Sequence, residues 1–275
     1  MHHDIENPYR PIETEVIEVI TETPNIKTLR LRPKERISFV AGQFIELTVP
    51  GVGEAPFTPS SRPAEKDIME VTIMKVGKVT ERIHQLNKGD IVGLRGPLGK
   101  GYPIDSFKGK EILVVGGGCG LAPLRSLMYE LFDRITDFKR VYYRAGCKTA
   151  KDFLYKEEIG GWAKRPDLDL RLTVDEGGSG WQENVGVVTT IMDGIQMDYA
   201  SGIAVVCGPP IAMKFATKKL LELGFKDENI YLSMEKNMSC GIGKCGHCRI
   251  GTYYACKDGP VFTYAQIKNF PNIWD

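Results

Sequence analysis

Four of the chain's seven cysteines, Cys240, Cys245, Cys248 and Cys256, fall in one short segment with the spacing C-x4-C-x2-C-x7-C. Four thiols gathered in one loop need a common partner, so no other feature restricts the local fold as strongly. The opening C-x4-C-x2-C is the plant-type spacing of a [2Fe–2S] ligand loop, in which each thiolate binds iron. Gly241, Gly243 and Gly246 lie between the cysteines, where the backbone has to wrap closely round a compact group. A structural zinc site with four cysteine ligands is the competing reading. Zinc modules usually pair two C-x2-C units and this segment has one, so the spacing favours iron and sulfur. Disulfides are the weakest reading, since nothing in the sequence indicates secretion. A Rieske-type centre needs two histidine ligands on one iron, and His247 is alone in the segment, which makes it a bystander. Cys119 and Cys147 read as small, partly buried thiols.

The rest of the chain is of ordinary globular composition, 42% hydrophobic and 26% charged, which sets aside disordered and fibrous classes. Thirty-six Lys+Arg against 35 Asp+Glu give a formal charge of +1, without the basic excess that nucleic-acid binding uses. The longest weakly polar stretches, 112–124 and 202–213, are interrupted by Gly or Pro and fall short of the ~20 apolar residues of a membrane span. The start, MHHDIENPYRP, lacks the pattern of a secretory or transit leader, so a cytoplasmic location is expected.

Up to about residue 108 the apolar pattern has period two: Ile45, Leu47 and Val49 alternate with Phe44, Glu46 and Thr48, and similar runs cover 28–32, 69–76 and 91–95. Gly and Pro turns separate them, as in a small antiparallel barrel. From residue 111 the pattern changes to a continuous apolar run, 112–115, suited to a strand buried on both faces of a parallel sheet. Further strands are expected at 140–144, 168–174 and 203–207, with helices near 121–131, 151–159, 188–195 and 211–223. That alternation predicts a doubly wound α/β domain. Three units follow: 1–108 a β-barrel, 109–226 an α/β domain, and 227–275 a small cysteine module.

The first α/β strand runs into Gly116-Gly117-Gly118-Cys119-Gly120-Leu121-Ala122-Pro123, which opens a helix. A diphosphate suits such a turn, because glycines allow close approach and free N–H groups favour anions. The turn departs from G-x-G-x-x-G, so packing alone could also explain it. A second signal, Cys207-Gly208-Pro209-Pro210, ends a later buried strand at the edge where open α/β sheets bind ligands.

Taken together, GGGCGLAP at 116–123, VCGPP at 206–210, and EKNMSCGIGKCGHCRIG with YACKDGPVF at 235–262 resemble the ferredoxin–NADP reductase superfamily. Within it they resemble the flavin and iron–sulfur subunits of anaerobic sulfite reductase and cytosolic sulfhydrogenase. The resemblance implies a flavin-binding barrel. It places Ala55-Pro56-Phe57-Thr58 where the superfamily carries its R-x-Y-S strand, with Phe57 stacked on the flavin and Thr58 offering its hydroxyl near N5. Ala55 replaces the arginine that would meet the pyrophosphate, so anchoring falls to Arg62 or backbone N–H groups. The strand residues Thr72, Ile73 and Met74 and the motif at Gly77, Val79 and Thr80 complete the implied FAD site.

The implied cofactors are FAD, a [2Fe–2S] cluster and NAD(P)H, with Thr58 and Cys207 flanking the contact between nicotinamide and flavin. The implied activity is electron transfer from NAD(P)H through FAD and the cluster to partner subunits of a redox complex, of sulfite reductase or hydrogenase type. The alternative is a non-enzymatic nucleotide-binding assembly module with a zinc site. Arg144 and Lys148 could meet a 2′-phosphate, and Asp175 or Glu176 a ribose hydroxyl, leaving NADH against NADPH open.

Overall fold

The computed structural model describes residues 7–274; His2, His3 and the first part of the leader reading lie outside the described residues. Six antiparallel strands form the first unit: β1 (Ile12–Thr23), β2 (Ile26–Pro33), β3 (Phe44–Val49), β4 (Gly53–Phe57), β5 (Met69–Met74) and, after the short helix α1 (Lys78–Ile83), β6 (Ile91–Leu98). Their order is β4-β3-β6-β1-β2-β5, and a bridge between Pro59 and Val71 joins the end of β4 to β5. Ile45, Leu47 and Val49 of β3 point into a core with Leu29, Leu31 and Val71, as the period-two pattern requires.

The second sheet contains β7 (Glu111–Gly117), β8 (Arg140–Cys147), β9 (Leu168–Val174), β10 (Asn184–Val185), β11 (Ile203–Cys207), β12 (Ile230–Ser233) and β15 (Val261–Thr263) in the order β10-β9-β8-β7-β11-β12-β15. Between them run α2 (Leu121–Asp133), α3 (Lys156–Trp162) and α4 (Pro210–Leu223); β13 (Arg249–Ile250) and β14 (Tyr253–Tyr254) form a hairpin, and α5 (Tyr264–Ile267) follows β15. All pairings in this sheet are parallel except β12 with β15. Ile112 and Val114 face one core and Leu113 and Val115 the other, so the apolar run is buried on both sides. Each such side chain contributes roughly 1.5–3 kcal/mol on burial.

Three expectations need correction. Residues 188–191 form only a 3-10 turn, because Val188, Thr189, Thr190 and Ile191 are all β-branched and stiff in an α-helix. The helix expected at 151–159 begins at Lys156, after a separate 3-10 turn at 150–152. The boundary expected at residue 227 cuts through the parallel sheet, since β12 pairs with β11 and β15 with β12. Cys248, Ile250, Ala255 and Cys256 share one apolar core with Leu113, Val206 and Leu232, so the cysteine module has no core of its own.

Candidate functional site

β7 is central: the chain builds outward through β8, β9 and β10, then returns to lay β11 on the other side of β7. The loops after β7 and β11 therefore leave the sheet side by side at its switch point, with Cys207 in register with Gly116. The glycines have distinct tasks. A Cβ on Gly116 would lie 2.5 Å from Leu124, so its absence lets α2 pack on the strand. Gly118 has φ +54, a left-handed turn. A Cβ on Gly120 would stand 2.6 Å from backbone atoms of Cys207 and Gly208, so the two loops touch main chain to main chain.

Above these loops lies a cavity of about 740 Å³. Gly117, Gly118 and Pro209 line it, with Lys148 and Asp175, just past the ends of β8 and β9, and the apolar side chains of Val187, Ile211 and Phe215. The other residues named from sequence stand behind it. Gly116, Cys207 and Gly208 line a small adjoining recess, while Leu121 and Ala122 are buried under the helix start. Arg144 does not reach the cavity: it is fully buried, pairs with Asp169 at 2.9 Å and donates to the carbonyls of Ile191 and Asp169.

The barrel meets this loop pair at the end of β5. The Met74 backbone hydrogen-bonds the Cys119 thiol, which burial pushes up to about 11. Burial likewise raises Cys207 to about 12, with Glu235 next to it adding to the effect, so this thiol is a neutral group and not a thiolate nucleophile. Glu235 was not singled out from sequence. Desolvation raises its carboxyl although the residue as a whole is exposed, and its field reaches both thiols. Its place two residues past the end of β12, the strand beside the one carrying Cys207, was the available signal.

On the barrel, Ala55, Pro56, Phe57 and Thr58 are half-buried at the β4 edge. The Thr72 hydroxyl is committed within the protein, to Thr28, Ser60 and Tyr155, and Ile73 is buried in the core. Met74 is exposed. Thr80 accepts from the N–H groups of Val76 and Gly77 and donates to the Gly77 carbonyl, fixing the turn ahead of α1, and Val79 packs on the barrel core. Arg62 is not a free anchor: it pairs with Asp133 and lies over the Tyr129 ring at 4.8 Å. Sequence reading also missed Arg125, which joins Glu70 of the barrel to Glu158 of α3 and stacks on Tyr155.

The cysteines stand in two pairs. Cys248 and Cys256 have their sulfurs 3.2 Å apart, and the Cys245 thiol hydrogen-bonds Cys240. Among the described residues no three His, Cys, Asp or Glu side chains converge as a single ion would need. Desolvation opposes ionisation of Cys240, but the N–H groups of Ile242, Cys245 and Lys244 and the Cys245 thiol outweigh it and lower Cys240 to about 6. Gly243 donates to Cys256 at 3.0 Å. Gly241, Gly243 and Gly246 all have positive φ, giving a loop whose amides turn inward to the sulfurs. This donor set fits an iron–sulfur cluster. His247 bonds Ser239 and no thiol.

Residues 13–102 match the family of oxidoreductase FAD-binding domains, and residues 114–218 that of oxidoreductase NAD-binding domains. Residues 235–268 match the iron–sulfur cluster binding domain of dihydroorotate dehydrogenase B. The sulfhydrogenase 2 gamma subunit of Pyrococcus furiosus is 37% identical, over 94% of this chain and 96% of its own. The chain belongs to the ferredoxin–NADP reductase superfamily. A further member, the probable dihydroorotate dehydrogenase B electron transfer subunit of the same organism, is 34% identical over 89% of this chain and 87% of its own. Among solved members, an NADH-dependent reduced ferredoxin–NADP oxidoreductase superimposes with a TM-score of 0.75 at 25% identity, covering 92% of this chain and 89% of the other. The cytochrome b5 reductase domain of Ulva prolifera nitrate reductase shares the fold, with a TM-score of 0.70 at 21% identity over 82% of this chain and 98% of the other.

Proposed function

We propose that this chain is the electron-transfer subunit of a multi-subunit oxidoreductase, passing electrons between NAD(P)H and a partner's catalytic centre of hydrogenase or sulfite reductase type. One observation carries the order of the parts. The barrel touches the nucleotide loop through Met74 and Cys119, and touches the cysteine loop through Arg95, which donates to the Cys240 carbonyl at 3.4 Å. The flavin barrel thus contacts both of the other sites. FAD accepts a hydride's two electrons and a [2Fe–2S] cluster carries one, so the set converts pairs to single electrons.

The protein's own part is positioning. Gly117 and Gly118 would seat the diphosphate against main-chain N–H groups, with Pro209, which has no N–H, shaping the opposite side. Cys207, uncharged, would fill space beside the reacting rings, and Thr58 would orient the flavin edge from β4. Ala55, Pro56, Phe57, Met74, Gly77 and Thr80 would line the flavin. Cys240 with Cys245 and Cys248 with Cys256 would each hold one iron.

No helix among the described residues is long and apolar enough to cross a membrane, and a cytoplasmic complex is the proposed setting. The test is an anaerobic visible spectrum with iron, zinc and flavin assayed on one sample, before and after NADH or NADPH. Flavin and iron bands bleached by a nicotinamide are expected. A colourless, zinc-loaded protein that anaerobic reconstitution cannot convert would overturn the reading in favour of an assembly module.

A further inference from the structure

Glu46 lies on β3 in the outward-facing half of the alternation, opposite Ile45 and Leu47, where an exposed carboxylate is the ordinary outcome. It is instead 1% exposed, and its Oε1 has no hydrogen-bond partner. The cysteine loop covers it: a Cβ on Gly241 would lie 3.2 Å from that oxygen. Water is kept from Glu46, and a charge buried beside it acts through a lower dielectric than one in solvent.

Two charges share the face. Arg95, paired with Glu46 across β3 and β6, is 4% exposed. Its Nε donates to Glu54 at 2.8 Å, and its Nη2 donates both to Glu54 and to the Cys240 carbonyl, 3.4 Å away. Nη1 donates to the Pro8 carbonyl at 2.9 Å. Glu54 in turn accepts from Thr48 at 2.8 Å, and its carboxyl is held below the usual range: desolvation opposes this, but the bonds to Arg95 and Thr48 prevail. The pair is oriented on every side, and one end of it rests on a cysteine of the ligand loop.

We propose that Arg95 and Glu54 are positioning residues for the iron–sulfur cluster, seating the Cys240 end of its loop on the barrel and setting its reduction potential through opposed charges, one buried and one half-buried. This rests on the proposed electron-transfer reading. A cluster becomes more negative on reduction, so the Arg95 cation favours the reduced form and the Glu54 carboxylate opposes it.

The test is an EPR-monitored redox titration of the full chain with its cluster, comparing wild type with Glu54→Gln, Arg95→Met and Arg95→Lys at matched iron content. Glu54→Gln is expected to raise the reduced-to-oxidised ratio at fixed ambient potential about tenfold, roughly 59 mV for one electron. Arg95→Met is expected to lower that ratio, and Arg95→Lys to restore it towards wild type. A purely structural pair would change cluster content or stability without shifts of opposite sign. Should Arg95→Met fail to fold, an unshifted Glu54→Gln still overturns the inference. A wild-type chain that assembles no cluster overturns the functional reading as well, so the two failures are distinguishable.

Discussion

Asp175 lines the nucleotide cavity with three lysines, each already matched: Lys148 with Glu176 at 3.5 Å, Lys218 with Glu222 at 3.8 Å and Lys219 with Asp193 at 2.6 Å. Asp175 has no ion-pair partner among the described residues. A carboxylate left in that balance accepts from a ribose diol and repels a 2′-phosphate, so NADH is the expected reductant. Asp175→Asn should lower kcat/KM for NADH about tenfold, the worth of one charge-assisted hydrogen bond, and narrow the preference over NADPH. Stopped-flow flavin reduction with both nucleotides measures this. At Gly120 the added methyl of Gly120→Ala meets backbone and not a flexible side chain. It should cost about 1–3 kcal/mol and weaken NADH binding, seen together in a thermal melt and a binding titration. The cysteines were legible because metal ligation writes itself into local spacing. Arg144 was not: a strand-end cation looks solvated until the 3-10 turn at 188–191 folds over it and Ile191 presents its carbonyl.

Between elements, α2 acts as the strut of the domain interface. Arg125 holds Glu70 on β5 and Glu158 on α3, with its side chain only 13% exposed. Arg125→Met leaves Glu158 without its cation and Glu70 with Arg30 alone, and should cost about 3 kcal/mol, measured by urea unfolding. One turn along, Glu130 accepts from the Ala41 N–H at 3.3 Å. Desolvation raises its carboxyl, the Ala41 bond only partly opposing this. The folded state therefore keeps this proton to higher pH than the unfolded chain, and stability falls as pH rises from about 4. Glu130→Gln should flatten that fall and gain on wild type as pH rises above about 4, read from melting temperatures against pH. None of this interface was legible, because periodicity reports which face of α2 is apolar and not which distant carboxylates meet its polar face. Periodicity did find α2 and α4, whose apolar residues recur at helical spacing.

Across the whole molecule, the cysteine module and the nucleotide sheet share one core, which joins Cys248 and Cys256 to Leu232 and Phe262. Stripping iron with a chelator under reducing conditions should therefore lower the melting temperature of the nucleotide domain too. Calorimetry should show that transition displaced; a cluster-free module melting separately, with the rest unmoved, would contradict the shared core. The fold class was readable from the switch between period-two and continuous apolar runs. Where the third unit begins was not, since β12 and β15 are short and their pairing depends on segments that lie on either side of the cysteines.

That pairing has a consequence for how such a chain can be remade. Ser233 and Val261 sit opposite each other on adjacent strands, and Met234 donates to the Pro260 carbonyl at 2.9 Å. The cysteines are thus borne by a long hairpin connection with both ends pinned, not by a trailing appendage. A short turn from residue 233 to residue 261 would delete the one-electron carrier and with it the part of the shared core that Cys248, Ile250, Ala255 and Cys256 supply, so a foreign loop spliced in at the same two points has to bring apolar side chains in their place.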